Sequence, residues 1–185
     1  HKVKLLYGLP KRYILNVGSI EERKNVMLAV EALKYIEEDV SLVIVGKHTS
    51  YTNRVLDYIE KNDMQQRVLI INGLPFEDLP AVYQMAETFV YPSRYEGFGI
   101  PIIEAINCGL PVVACKGSCL EEAGGEESIY VSPDDIKGMA EAIKASLKGA
   151  ENRDKRIARS KEYVKRFENN DTVMEVIKEY TQLIR

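Results

Sequence analysis

Two glutamates eight positions apart are the acids whose surroundings point most directly to chemistry. Glu96 and Glu104 bracket the segment EGFGIPIIE, and Glu104 falls within an otherwise apolar run of helical character. A buried carboxylate is costly unless it is paired or hydrogen-bonded. Glu104 therefore indicates either a salt bridge to a neighbouring Lys or Arg, or a carboxylate that accepts hydrogen bonds from two adjacent sugar hydroxyls. Glu96, taken alone, favours an exposed acid at a loop entrance.

The glycines between these acids allow a ligand to approach the backbone closely. Gly97 and Gly99 flank Phe98 directly before the predicted helix. Glycine permits unusual backbone angles, and a helix N-terminus presents free N–H groups suited to phosphate. A tight turn from strand to helix accounts for the same pattern, because this G-x-G is not a complete dinucleotide fingerprint.

A pair of adjacent cations provides the complementary charge. Arg23 and Lys24 lie in VGSIEERKN, residues 17–25, between a predicted strand and a predicted helix. Arg makes forked contacts and Lys carries a compact charge, so the two together are suited to a diphosphate. By themselves these residues favour a solvated surface pair with Glu21 and Glu22.

Short apolar runs mark the elements that must position these groups. The runs are continuous rather than alternating, which predicts parallel strands buried on both faces. Segments with helical spacing of apolar residues separate them, as in Val26, Ala29, Val30 and Leu33. The predicted strands are YILNV (13–17), SLVIV (41–45), RVLII (67–71), TFVYP (88–92), PVVAC (111–115) and SIYVS (128–132).

This alternation predicts an α/β fold, a Rossmann-like doubly wound parallel sheet of about six strands. We expect the Rossmann-like domain to span residues 1–150. Residues 151–185 have no strand pattern and predict two C-terminal helices that pack on it. The first helix is predicted through Ile157 and Val164 to Phe167, and the second from Asp171. Ligands of such sheets bind at the carboxyl ends of the strands.

Composition excludes several classes of protein. With 185 residues, 45% hydrophobic and 29% charged, the chain has an ordinary globular balance, and its net charge of −3 gives no reason to expect nucleic acid. No apolar run approaches the roughly 20 residues of a membrane span. Cys108, Cys115 and Cys119 form no C-x-x-C, and His48 is the single internal histidine, so we expect no disulfide framework and no metal site.

Four segments carry a resemblance to a known family. EGFGIPIIE resembles the E-x7-E motif of the group-1 retaining glycosyltransferases of GT-B fold. VGSIEERKN looks like the family's VG-x5-K-G/N loop, and residues 78–115 are similar to its long core block. SCLEEAGGEESIYVSPDD, residues 118–135, resembles a segment of many mannosyltransferase-like members. The order and spacing of all four agree over about residues 9–145, so the similarity is specific.

The resemblance implies a role for each matching residue. Lys24 and Arg23 would hold the diphosphate of the donor, Glu104 would bind the ribose hydroxyls, and Glu96 would contact the transferred sugar. The implied catalytic residues are Arg23, Lys24 and Glu96. The implied donor-binding residues are Gly18, Gly73, Leu74, Gly97, Phe98, Gly99, Ile100 and Glu104. Ser19 stands where many members have an arginine, so the phosphate clamp would depend on Arg23 and Lys24.

The implied reaction moves a hexosyl group from a GDP- or UDP-sugar to an acceptor hydroxyl with retention of configuration. The R-K-N variant slightly favours GDP-mannose as donor. The chain has no D-x-D sequence, and the family is metal-independent, so no cofactor is expected. The family has two Rossmann-like domains, and this chain resembles the C-terminal, donor-binding one. A glycan, lipid or other hydroxyl acceptor would bind a missing N-terminal domain, and the isolated chain would be inactive as a transferase.

Two other functions stay open on the sequence alone. A nucleotide-sugar epimerase shares the fold but would need acids or a histidine near the sugar C2. A non-catalytic nucleotide-sugar-binding module would bind the donor and transfer nothing. In each case we expect a cytoplasmic protein without an integral membrane segment, and peripheral membrane association of a longer protein stays open.

Overall fold

A six-stranded sheet lies between two layers of helices in the computed structural model, which describes residues 2–168 and Glu179. Every strand pair is parallel, and the strand order is β3-β2-β1-β4-β5-β6. The predicted Rossmann-like fold and strand number are confirmed. The strands are β1 (Arg12–Val17), β2 (Val40–Val45), β3 (Val68–Ile71), β4 (Thr88–Tyr91), β5 (Val112–Cys115) and β6 (Ile129–Val131).

The helices fall between the strands as the apolar spacing predicts, with additions. Neither α1 nor α6 has a counterpart among the predicted elements. The predicted helix from Asp171 lies outside the described residues. The helices are α1 (Lys2–Tyr7), α2 (Val26–Ala32), α3 (Thr52–Lys61), α4 (Leu79–Met85), α5 (Ile100–Asn107), α6 (Leu120–Gly124), α7 (Ile136–Lys144) and α8 (Arg153–Glu168).

Two apolar clusters cover the two faces of the sheet. Successive strand residues point to opposite faces, so Ile14 joins the cluster under α2, α3 and α7, while Leu15 joins the cluster under α4, α5, α6 and α8. The prediction that every strand is buried on both faces is wrong for the edge strands. Val68, Leu69 and Ile70 of β3 are only half-buried. Helices cover an edge strand less completely than a central one.

β1 and β4 separate towards their carboxyl ends. Six residue pairs join β1 to β2, whereas the register of β1 and β4 comprises only Ile14↔Thr88 and Leu15↔Phe89. Beyond these pairs, the buried side chain of Asn16 donates to the carbonyl of Val90 at 2.9 Å. A side-chain amide thus links the two strands where the ladder ends. The strand order reverses at this point, and in such sheets the reversal opens the crevice that holds ligands.

The amino ends of the same two strands are joined by an ion pair. Arg12, the first residue of β1, donates from Nε to Oε1 of Glu87 at 2.8 Å and from Nη2 to Oε2 at 3.2 Å. The backbone N–H of Lys148 donates to Oε2 at 3.1 Å. The Glu87 side chain is 4% exposed. Burial raises the pKa of this carboxyl, but the bonds from Arg12 and Lys148 outweigh burial and hold the pKa below its usual value.

Candidate functional site

The carboxyl ends of β1 and β4 bring together residues that lie far apart in the sequence. The loop after β1 contains a 3₁₀ turn, Glu22–Lys24, and the loop after β4 leads into α5. These loops are joined by a backbone hydrogen bond from the N–H of Arg94 to the carbonyl of Arg23 at 2.9 Å. The two segments singled out in the sequence, the cation pair and the first glutamate, therefore meet at the predicted crevice.

Lys24 and Glu96 form an ion pair in this crevice. Lys24 Nζ lies 2.5 Å from Glu96 Oε1, and the two side chains are 14% and 11% exposed. Lys24 Nζ also lies 3.5 Å from the hydroxyl of Tyr91, the last residue of β4. The expectation of an exposed loop acid at Glu96 is therefore wrong. Its partner comes from another strand end, 72 positions away in the chain.

Arg23 is more exposed than Lys24 and keeps a local partner. Its Nε lies 2.9 Å from Glu21 Oε2, and its side chain is 50% exposed. Its Nη1 donates to the carbonyl of Tyr95 at 3.1 Å and lies 4.0 Å from Glu96 Oε1. The surface pairing that the local sequence favoured thus holds for Arg23. Arg23 also reaches the β4 loop, so both cations lie beside Glu96.

Glu96 has two further neighbours that the sequence did not single out. The Ser93 hydroxyl donates to Glu96 Oε1 at 2.9 Å, and Cys119 Sγ lies 3.1 Å from the carbonyl oxygen of Glu96. Ser93 is fully buried at the end of β4, and Cys119 precedes α6. Their position just after strand ends is the one sequence signal that marks them. Together they fix the backbone and carboxylate of Glu96.

The helix that follows Glu96 begins at a position that requires glycine. Gly99 has φ 93°, and a β-carbon there would lie 2.9 Å from Cδ2 of Leu120. Gly97 is exposed, whereas Gly99 and Ile100 are buried. Phe98 turns its ring away from the loop and packs edge-on against Phe167 of α8, with ring centroids 5.4 Å apart. The backbone of this loop, rather than the Phe98 ring, is thus free to face a ligand.

Glu104 lies inside α5 without a cationic partner among the described residues. Its Oε2 accepts a hydrogen bond from the hydroxyl of Tyr83 at 3.1 Å. Burial raises the pKa of Glu104, and the bond from Tyr83 opposes that rise only partly. The salt-bridge interpretation of Glu104 is therefore not borne out in the described chain. Among residues 2–168, the Glu104 carboxylate therefore keeps acceptor capacity beyond its bond from Tyr83.

The remaining sequence-predicted positions surround the same edge of the sheet. Gly18 follows β1 directly, and its N–H donates to the carbonyl of Val45 at 2.9 Å. A β-carbon on Gly46, after β2, would lie 1.7 Å from the carbonyl oxygen of Gly18, so the two backbones touch. Gly73 is exposed and Leu74 is buried, both after β3. All of these positions are strand-end loops, as the topology requires.

The described part of the chain has neither a metal-binding cluster nor a membrane-spanning helix. Within residues 2–168 and Glu179, no group of three or more His, Cys, Asp and Glu side chains is placed to hold a metal ion. No helix in that part is long and apolar enough to cross a membrane. The three cysteines are all free thiols.

Comparison with known proteins assigns the class. A family model described as Glycosyl transferases group 1 matches residues 2–163, and the chain belongs to that family. O-antigen chain mannosyltransferase B of Escherichia coli is 31% identical over 175 residues, which are 92% of this chain and 46% of that protein. The chain thus spans less than half the length of curated relatives such as this one.

Solved structures agree with this assignment. Sucrose-phosphate synthase from Thermosynechococcus elongatus superposes with a TM-score of 0.82 at 26% identity, over 98% of this chain and 48% of that one. Anabaena HepE, crystallised with UDP and glucose, superposes with a TM-score of 0.82 at 18% identity, over 99% and 51%, and this second likeness concerns the fold alone. The chain therefore corresponds to one half of a GT-B glycosyltransferase fold.

Proposed function

We propose that this chain is the donor-binding half of a retaining hexosyltransferase that uses a nucleoside-diphosphate sugar. The observation that carries the proposal is the Lys24–Glu96 ion pair at the strand-order reversal, beside the first turn of α5. A cation, a carboxylate and a helix N-terminus at one point suit a ligand that has both phosphates and hydroxyls.

The diphosphate would be held by Lys24, Arg23 and the first turn of α5. Lys24 is neutralised by Glu96 when no donor is bound, so a diphosphate must replace Glu96 as its partner. That exchange is favourable because a diphosphate carries more charge than one carboxylate and is also met by Arg23. Negative charge grows on the leaving diphosphate during transfer, and preformed cations stabilise it without reorganisation.

Glu96 would then turn from Lys24 to the hydroxyls of the transferred sugar. Its Oε1 accepts from both Lys24 and Ser93, so the bond from Ser93 would keep that oxygen oriented when Lys24 leaves it for the diphosphate. We infer that the same carboxylate serves as a partner for Lys24 in the free protein and as a sugar contact in the complex. The resemblance of EGFGIPIIE to the family motif supports this assignment.

Glu104 would accept hydrogen bonds from the two ribose hydroxyls. In the part of the chain that the structure describes, the bond to its carboxylate comes from the neutral Tyr83 hydroxyl, which leaves acceptor capacity for other donors. Since burial raises its pKa, hydroxyl donors that favour the charged form would lower that pKa on binding. Gly73 and Leu74, in the loop after β3, would lie beside the base.

The donor sugar and the reaction belong to the same proposal. The E. coli relative is named an O-antigen chain mannosyltransferase, which supports a mannosyl donor and a role in polysaccharide synthesis. HepE was crystallised with UDP and glucose, so this fold accommodates such a ligand. Transfer to an acceptor hydroxyl would need a second domain, because both substrates must be held in reacting geometry. The relatives' transferase names favour neither an epimerase nor a binding module.

Calorimetric titration tests the proposal directly. The 185-residue chain should bind UDP or GDP in the presence of EDTA, because the contacts proposed for the diphosphate come from side chains and backbone alone. A folded chain that releases no heat with either nucleotide would contradict the donor site. Recovery of binding on adding Mg²⁺ would contradict the metal-independent form of the proposal. In the complete enzyme, NMR of the product anomeric proton tests retention.

A further inference from the structure

Asn25 occupies an unusual position between the cation pair and α2. Its backbone is left-handed, with φ 58° and ψ 30°, and the residue is only 7% exposed. Asparagine and glycine are the residues that adopt this conformation most readily, and the family loop pattern has one or the other here. The conformation ends the 3₁₀ turn that carries Lys24 and starts α2.

What asparagine adds to this conformation is a pair of hydrogen bonds to two other loops. Its Nδ2 donates to the carbonyl of Pro92, after β4, and to the carbonyl of Pro133, after β6, each at 3.0 Å. Both amide hydrogens are therefore used. The side chain joins three strand-end loops at the point where the β1–β4 ladder has ended.

The consequence is a fixed distance between the two halves of the crevice. Lys24 lies immediately before Asn25, and Glu96 lies four residues beyond Pro92. The Arg94–Arg23 backbone bond supports the same junction from the other side of the loop. Without the Asn25 amide, the loop carrying both cations would keep one backbone bond to the β4 side, and its other contacts there would come from the long side chains of Arg23 and Lys24, which the donor would engage.

We propose that Asn25 is a positioning residue for the phosphate clamp, an inference that rests on the proposed function. Its side-chain N–H groups are used by the carbonyls of Pro92 and Pro133, so we assign it no contact with the donor or the acceptor. Its amide holds Lys24 and Arg23 at the spacing that a diphosphate needs when Glu96 releases Lys24. A small displacement of Lys24 or Arg23 should weaken binding of the second phosphate, the one furthest from the nucleoside, more than binding of the first. The reason is that the second phosphate depends most on these two cations.

The Kd for a nucleoside monophosphate divided by the Kd for the corresponding diphosphate tests this role, because it measures how much the second phosphate adds to binding. Asn25→Gly keeps the left-handed backbone and removes both hydrogen bonds without adding charge. We expect the ratio of Kd values for UMP and UDP, and for GMP and GDP, to fall about tenfold, equivalent to one net hydrogen bond. Asn152→Gly is the matched control, because Asn152 is also left-handed, at φ 60°, but exposed and distant in sequence. Its ratio should equal that of the wild type.

The affinity ratio does not depend on how much of the sample is folded, so partial unfolding leaves the test valid. Asn25→Asp, which keeps the size and backbone preference, provides a second route should the glycine variant fail to fold, and its ratio should fall as well. A wild-type ratio in both folded variants would overturn the role of Asn25 alone. A wild-type chain that binds mono- and diphosphate equally would overturn the phosphate clamp itself, and the inference with it.

Discussion

The strands β1 and β4 carry an ion pair at each end, and the two pairs differ in how completely they are satisfied. At the amino end, Glu87 receives two bonds from Arg12 and one from the backbone of Lys148. At the carboxyl end, Glu96 receives Lys24 and Ser93 in a crevice between separating strands. Both oxygens of Glu87 are bonded and Arg12 has a further partner in Asp39 at 3.0 Å, whereas the second pair lies where we propose that a ligand competes.

With the proposed donor site, one sheet divides its charged groups between folding at the amino end of β1 and β4 and ligand binding at their carboxyl end. At the amino end the Glu87 carboxylate is 4% exposed, so losing Arg12 would leave a charge with little access to solvent, whereas Arg12 is 28% exposed and also pairs with Asp39. Breaking the pair at the carboxyl end is what we propose the donor does. On this proposal the same residue types, a glutamate and a cation, form a structural pair at one end, costly to break by removing one partner, and a ligand-binding pair at the other.

Replacement of Lys24 should produce the largest effect. In the complete transferase, Lys24→Ala should lower kcat by about 10²–10³-fold and change KM for the donor less, because the charge on the leaving diphosphate grows towards the transition state. Steady-state kinetics with varied donor is the measurement. Arg23→Ala should act in the same direction.

Arg12→Ala is the matched control for that experiment, since it removes a cation from the other end of the same strand. Its kcat should stay near wild type while its melting temperature falls. Wild-type turnover in Lys24→Ala would remove the clamp assignment. The Lys24–Glu96 pair would then be structural, as the Arg12–Glu87 pair is, and the two ends of the strands would not differ in function.

Glu87→Gln should give the next largest effect, a loss of about 1.5–3 kcal/mol in the free energy of unfolding, the usual range for a hydrogen bond to a charged group. The loss should depend on pH. The pKa of Glu87 is lower in the folded than in the unfolded chain, so the unfolded chain binds the extra proton and stability increases with pH in that window.

The difference between wild type and Glu87→Gln should therefore be full near neutral pH. It should shrink as the pH falls below the ordinary glutamate value of about 4.3 and through the lowered folded value. Denaturant titrations at several pH values measure it. A difference that is constant from neutral to acidic pH would show that the carboxylate charge does not stabilise the amino end. Glu96→Gln is the companion variant, expected to cost less stability than Glu87→Gln.

Glu104→Gln should have the smallest effect, and it should change nucleotide affinity and stability in opposite directions. Nucleotide affinity should weaken by about 1–3 kcal/mol, while the chain itself becomes more stable by about 0.5–2 kcal/mol, as when a functional site is relieved of an unfavourable charge. The reason is that the pKa of Glu104 is raised on folding, so its charged form opposes folding as the pH rises above the ordinary glutamate value.

Calorimetry with UDP and GDP, together with thermal unfolding at neutral pH, checks both halves of this prediction. Inorganic diphosphate, which has no ribose, should bind the variant as well as it binds the wild type. Equal weakening for nucleotide and diphosphate, or a lower melting temperature, would indicate a structural role for Glu104 instead.

Much of the fold was predictable because buried parallel strands are continuous apolar runs. The six runs correspond to the six strands within a residue or two. Edge exposure was not predictable, because the apolar composition of β3 and β6 resembles that of the central strands. α1 is too short to show a periodic pattern, and Leu5 and Leu6 within it are largely exposed.

The sequence predicted which residues belong to the site but not which of them contact one another. The family resemblance selected Lys24, Glu96 and Glu104, but sequence spacing cannot show that Lys24 and Glu96 meet across 72 positions. Nor does sequence spacing show whether Glu104 forms a salt bridge or is available to sugar hydroxyls, since that depends on whether a Lys or Arg lies within reach of its carboxylate. The Arg12–Glu87 pair was not predicted, because Arg12 lies outside the four matching segments and Glu87, although inside the block of residues 78–115, has no role implied by the resemblance. The functional roles of all these residues stay predictions until the variants above are measured.

The contact between the loops after β1 and β2 has a consequence for how this sequence can evolve. Because a β-carbon on residue 46 would lie 1.7 Å from the carbonyl oxygen of Gly18, even the smallest side chain requires two main chains to move apart. Gly46 should therefore appear invariant among homologues, as a catalytic residue does, although it contributes no chemistry. Invariance at residue 46 would reflect the close contact of two backbones, so an alignment that equates invariance with catalysis would assign Gly46 the wrong role.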